Sequence, residues 1–261
     1  AGAASILSAY FDAWYEHNPG RHPFERDELR DIDLHALGEL AKKSPLAVVE
    51  GSMPALVRAF DLIASKRGSD EEDYSFSFRT CSGHAFGSDA YLRLLTDALR
   101  SVAADDATLA REKLGLLNPN VHEAAAHLHL ETIAANGRDL ASNLLPLLES
   151  PYLFEAGWHG ANWKSFADAA KTALPFMDGA GRQAVEAAIL AYRPELVDVH
   201  EYLQDFRTGE RGEDQKDRQR VLRHLSASGY KQFCILETIG DDVLSEHLRS
   251  RLAELRRKFS Q

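Results

Sequence analysis

The densest collection of side chains able to do chemistry is the run His122-Glu123-Ala124-Ala125-Ala126-His127-Leu128-His129-Leu130-Glu131. A zinc protease helix needs HExxH, which puts two imidazoles one turn apart on one face. Here the spacing is HExxxH, so His122 and His127 diverge by about 140° around a helix. A different face does line up. Glu123, His127 and Glu131 recur at i, i+4 and i+8. Such a stripe offers metal ligands if a second helix completes the shell. The simpler expectation is a solvated face carrying charge.

Two other places carry reactive or recognition chemistry. Cys81 and His84 form a thiol and an imidazole close in sequence, although nucleophilic catalysis also needs a third group to orient the base. Trp158-His159-Gly160-Ala161-Asn162-Trp163 sets two indoles around a turn. Trp158 and His159 are binding candidates there, against the alternative of a packed corner between helices. No GxxxxGK[ST], GxGxxG, GxSxG or kinase motif occurs, so neither a nucleotide site nor a hydrolase elbow is read here. No cofactor is expected.

The elements that would position these groups read as short amphipathic helices. Ile6, Leu7, Tyr10, Phe11 and Trp14 keep helical spacing before Asn18-Pro19-Gly20. A second helix is expected over 25–43. Ser44-Pro45 starts a third, broken or restarted at Pro54. Helices follow over 89–103, from Asp106 to Leu117, and over 122–135 and 139–148 as a hairpin about Asn136-Gly137. Ser150-Pro151 repeats the Ser-Pro start. Then come 163–174, 182–192, 197–206, 215–225, 230–239 and 241–259. The last carries Leu244, Leu248, Leu252 and Leu255 as one stripe, flanked by Arg249 and Arg256.

Short helices joined by short loops must bury their stripes on one another. The fold class expected is all-α, a HEAT-like helical-repeat array or α-solenoid, with a closed bundle as the rival. A single domain over 1–261 is expected, with soft boundaries near 104–106 and 207–214. One long insertion, near 67–88, refuses the helical period. Tyr74, Phe76 and Phe78 alternate there with polar residues, as in an extended strand. With His84 they form a candidate recognition loop.

Composition limits the partners. The 261 residues carry 30 Lys and Arg against 40 Asp and Glu, a net charge of −10. This opposes nucleic-acid wrapping, which needs a basic footprint. From Arg207 onward the balance is instead mildly basic, which suits docking on an acidic neighbour. No apolar run approaches the roughly 20 residues of a membrane span. Two cysteines make no disulfide framework, and a cytoplasmic setting is expected. The start Ala1-Gly2-Ala3 reads as a processing or cloning remnant, and the chain as a fragment of something larger.

The stretches FADAAKTALPFMDGAGRQAVEAAILAYRPE and DVLSEHLRSRLAELRRKF resemble HEAT-type helices in the non-catalytic parts of large bacterial multidomain NTPases. Some of these belong to the STAND class of signalling and phage-defence ATPases. The resemblance covers roughly Ser150 onward and carries over no site residues. It implies a sensor or scaffold segment beside an NTPase module, working through protein partners or other domains of the same protein. The alternative reading is a helical-bundle, metal-dependent enzyme built on Glu123, His127 and Glu131.

Overall fold

The computed structural model describes residues 2–25, 28–29, 33–66, 87–158, 160–194, 219, 222 and 225–259. Within them it is all-α, with eleven α-helices and no strand. The chain divides into two compact units, Ala1–Met177 and Asp178–Gln261.

The first unit holds α1 (Gly2–His17), α2 (Leu34–Lys43), α3 (Pro45–Ser65), α4 (Gly87–Asp105), α5 (Ala107–Leu114), α6 (Glu123–Ala135), α7 (Gly137–Leu140) and α8 (Lys164–Ala173). A 3₁₀ segment, Ala141–Glu149, follows α7. Local chemistry places the helix starts. The Asp33 carboxylate accepts from the backbone N–H groups of His35 and Ala36, and Asp106 does the same for Thr108 and Leu109. α3 begins at Ser44-Pro45 as expected, yet it runs unbroken through Pro54. The expected 25–43 helix forms only from Leu34. Ser150-Pro151 does not repeat the helix start, because residues 151–155 form turns instead. The joint at 104–106 is the single-residue step between α4 and α5, with Asp106 as its cap.

α1 packs on α3, α3 on α4, α4 on α6 and α6 on α8, while α2 lies against both α3 and α4. Phe11, Phe24 and Tyr91 form an aromatic knot with centroids 5.6–5.7 Å apart. The Ser52 hydroxyl donates to the Val48 carbonyl, so the Tyr91 hydroxyl donates to Ser52 Oγ at 2.5 Å. Burial pushes the Tyr91 hydroxyl far above its ordinary acidity range, so it stays a donor.

The second unit holds α9 (Gly179–Ala191), α10 (Tyr230–Ile239) and α11 (Glu246–Phe259). The Leu244, Leu248, Leu252 and Leu255 stripe is buried as its spacing requires. Fully buried Gln232 ties the three helices together. Its amide nitrogen donates to the Ile189 carbonyl at 2.6 Å, and its amide oxygen accepts from Arg251 Nε at 2.9 Å. The expected helix over 197–206, most of 215–225 and the soft boundary at 207–214 lie outside the described residues. Among the described residues, no helix is long and apolar enough to cross a membrane.

The α1–α3 crossing depends on Gly51. A Cβ there would lie 2.8 Å from Leu7 Cβ and 2.9 Å from the Ala4 carbonyl oxygen. Overpacking of this kind costs about 1–3 kcal/mol. Gly51→Val is therefore expected to lower the urea midpoint measured by circular dichroism. An unchanged midpoint would show that the crossing has slack.

Candidate functional site

α6 is buried on almost every side, and its polar residues are buried with it. His127 is fully buried and Glu131 is 7% exposed. This corrects the expectation of a solvated Glu/His face. α4 and α8 sandwich α6, so the stripe points into protein. Glu123, in the first turn, stays half-buried.

Glu131 is the centre of the cluster. Its Oε2 accepts from Arg100 Nη1 of α4 at 2.7 Å, and its Oε1 accepts from Ser165 Oγ of α8 at 2.7 Å. His127 lies one turn earlier. A carbonyl oxygen can only accept, so the 2.8 Å contact to the Ala156 oxygen requires Nδ1 to carry the proton. Ser165 Oγ, 3.3 Å from that same nitrogen, then receives at most a share of the Nδ1 hydrogen. The direction of the network follows: His127 donates, and Ser165 passes its own proton toward Glu131.

This direction decides the chemistry. A serine nucleophile needs a base that accepts its proton and access to substrate. Here the imidazole nitrogen facing Ser165 is already a donor, and Ser165 is 1% exposed. The Ser/His/Glu grouping therefore locks three helices together instead of activating a hydroxyl. The metal alternative meets the same geometry, since both Glu131 oxygens are occupied. Among the described residues, no group of three His, Cys, Asp or Glu side chains converges as a metal site.

The Trp158 turn is brought to this cluster. Gly157 N–H donates to the Asn162 carbonyl at 2.7 Å and Ala161 N–H to the Trp158 carbonyl at 2.9 Å, closing a tight reversal. Gly160 takes φ +81°, and a Cβ on Gly157 would sit 2.2 Å from the Asn162 carbonyl oxygen. The turn lays Trp158 edge-on to His127, centroids 4.8 Å apart, with the Arg93 guanidinium carbon 5.2 Å from the indole centre. Trp158 is thus a half-buried corner residue with one cation-covered face.

The N-terminus of α6 is capped unusually. His122 Nδ1 accepts from the Ala124 N–H at 3.0 Å, and the ring stacks on Phe60. His129 sits near the other end of the helix, its Nε2 donating to the Leu117 carbonyl at 3.0 Å. Burial holds the His129 imidazole below its ordinary value, outweighing its backbone hydrogen bonds.

The remaining sequence candidates scatter. Tyr74, Phe76, Phe78, Cys81, His84 and His159 lie outside the described residues. Arg256 forks between Glu237 and Asp241, with contacts of 2.5 to 3.1 Å. Arg249 Nε donates to the Leu244 carbonyl. Cys234 lies against Tyr230 and holds that hydroxyl above its ordinary value. Sequence reasoning missed Arg93, Arg100 and Ser165. Nothing in the pattern couples residues 31 to 34 positions apart to Glu131. Against this geometry, comparison with other proteins returns no matching family, no similar curated protein and no similar solved structure.

Two outcomes follow for α6. Arg100→Met strands the Glu131 carboxylate, and about 2 kcal/mol of stability is expected to go with it. Adding Glu131→Gln is expected to recover part of that loss. Strict additivity across this double-mutant cycle would mean the pair is not coupled. The second outcome concerns pH. The unfolded chain protonates His129 near 6.5, while the folded chain resists the proton. Stability is therefore full above pH 6.5 and falls as pH drops below it, by about 1 kcal/mol one unit lower. Urea midpoints at pH 7.5 and 5.5 test this against His129→Gln, whose dependence should be flatter. Identical slopes would remove His129 as the cause.

Proposed function

We propose that the chain is a non-catalytic protein-interaction module. In this reading it is a HEAT-like helical array that acts as scaffold or sensor, docking a protein partner or other domains of a larger bacterial NTPase used in defence or signalling. The observation that carries the interaction role is in the second unit. Of the six large hydrophobic side chains most exposed among the described residues, Leu222, Leu225 and Tyr230 fall within nine positions. Tyr230 is 52% exposed and is backed by Phe233 and Phe259, at centroid distances of 6.3 and 5.5 Å. Exposed clustered aromatics of this kind suit a partner that covers them.

Two further features support the reading. The packing of α1 on α3, α3 on α4, α4 on α6 and α6 on α8 is the neighbour-on-neighbour pattern that repeat arrays use. The mildly basic end of an otherwise acidic chain favours an acidic docking surface. The NTPase setting rests on the resemblance of the helices from Ser150 onward.

The test is affinity purification from a bacterial lysate with the native chain and with Leu225→Asp/Tyr230→Asp. The native chain is expected to retain a saturable partner that the double variant loses while keeping its helical circular dichroism. If every retained protein stays with the double variant, this surface is not the docking site.

A further inference from the structure

A half-open cleft of about 220 Å³ separates α2 from α4. Leu34 and Ala41 of α2 and Leu94 and Ala98 of α4 supply its apolar lining. Gly38 keeps it narrow, since a Cβ there would come within 3.4 Å of Leu94 Cδ2. The volume holds about seven water-sized groups, enough for a short alkyl chain.

One carboxylate on this lining differs from its neighbours. Among the described residues, Asp97 enters no side-chain hydrogen bond and no ion pair. Its helical neighbours Arg93 and Arg100 sit one turn to either side, but their guanidinium groups are directed elsewhere. Arg100 bonds Glu131, and Arg93 lies over Trp158. They reach Asp97 only through longer-range attraction, which crowding by the surrounding protein outweighs, so its carboxyl is held above the ordinary value. Across the cleft, Glu39 and Lys42 neutralise each other at 2.9 Å. His35 and Ser101 complete the polar edge, and Ser101 Oγ is turned back onto its own helix at the Asp97 carbonyl.

An apolar slot with one unpaired carboxylate at its side has a simple complement. Methylenes take the place of water on the leucines, and a cation with several donors satisfies the acid. We propose that the cleft between α2 and α4 binds a primary alkylammonium group, its methylenes between Leu34 and Leu94 and its nitrogen on Asp97. A free amine and a lysine side chain of a peptide share this chemistry. The site stands apart from the docking surface of the second unit and does not depend on it.

The experiment is a ¹⁵N–¹H NMR titration of the full chain with three probes: n-butylammonium, n-butanol, and Nα-acetyl-lysine N-methylamide. Saturable shifts of the Gly38, Leu94, Ala98 and Ser101 amides are expected with a cationic probe, and binding at least tenfold weaker with n-butanol. Shifts with both cations leave the source open to either. Shifts with only one of them identify the source. Asp97→Asn is expected to weaken the cation about tenfold, the worth of one charge-assisted hydrogen bond. The proposal is overturned if neither cation gives saturable shifts, if n-butanol binds as tightly, or if Asp97→Asn binds the cation unchanged. The butanol comparison uses the native chain alone, so it holds whatever the variant does to folding.

Discussion

The first unit depends on keeping one carboxylate charged inside protein. Removing a carboxylate from water costs several kcal/mol unless its lone pairs are met. Glu131 is met on both oxygens, from α4 by Arg100 and from α8 by Ser165. Its burial therefore fixes α6 against two helices at once. Apolar packing alone would let the three slide, because leucine and alanine contacts are tolerant of small shifts. Hydrogen bonds at 2.7 Å are not. His127 and the Trp158 turn extend the same constraint to the segment between the 3₁₀ helix and α8.

This gives the histidines of α6 a common character with different duties. His122 accepts at the helix start, His127 donates to a loop carbonyl, and His129 donates to the turn before the helix. Each occupies a buried position where an aliphatic side chain would leave a backbone group unmatched. A helix so rich in alanine buries its backbone deeply. The imidazoles then act as long-reach polar fillers, bonding main-chain groups of nearby segments that helix geometry cannot serve.

Much of the architecture was legible in the sequence because periodic apolar residues state directly which faces need burying. The Leu244–Leu255 stripe and the bounds of α10 follow from that period alone. Asp33 and Asp106 mark their helix starts by side-chain chemistry. The failures have physical causes as well. Pro54 lacks an N–H but its neighbours are held by α1 and α4, so tertiary packing carries the helix through it. The Glu123, His127 and Glu131 stripe looked solvated because charge was read without its distant partners, and Arg100 and Ser165 are joined to Glu131 only by folding. Arg249 and Arg256 read as free cations, yet α11 turns one onto its own preceding turn and the other onto α10 and Asp241.

Gln232 has a reach beyond its size. Its two ends are chemically distinct, and each has one partner it can serve: a carbonyl on α9 and a guanidinium on α11. Pulling either helix away from α10 strands a polar atom in a dry interior. Partial opening is then penalised as heavily as its first step, and α9, α10 and α11 are bound to open together. The second unit behaves as one cooperative foldon, held to that behaviour by a single neutral amide.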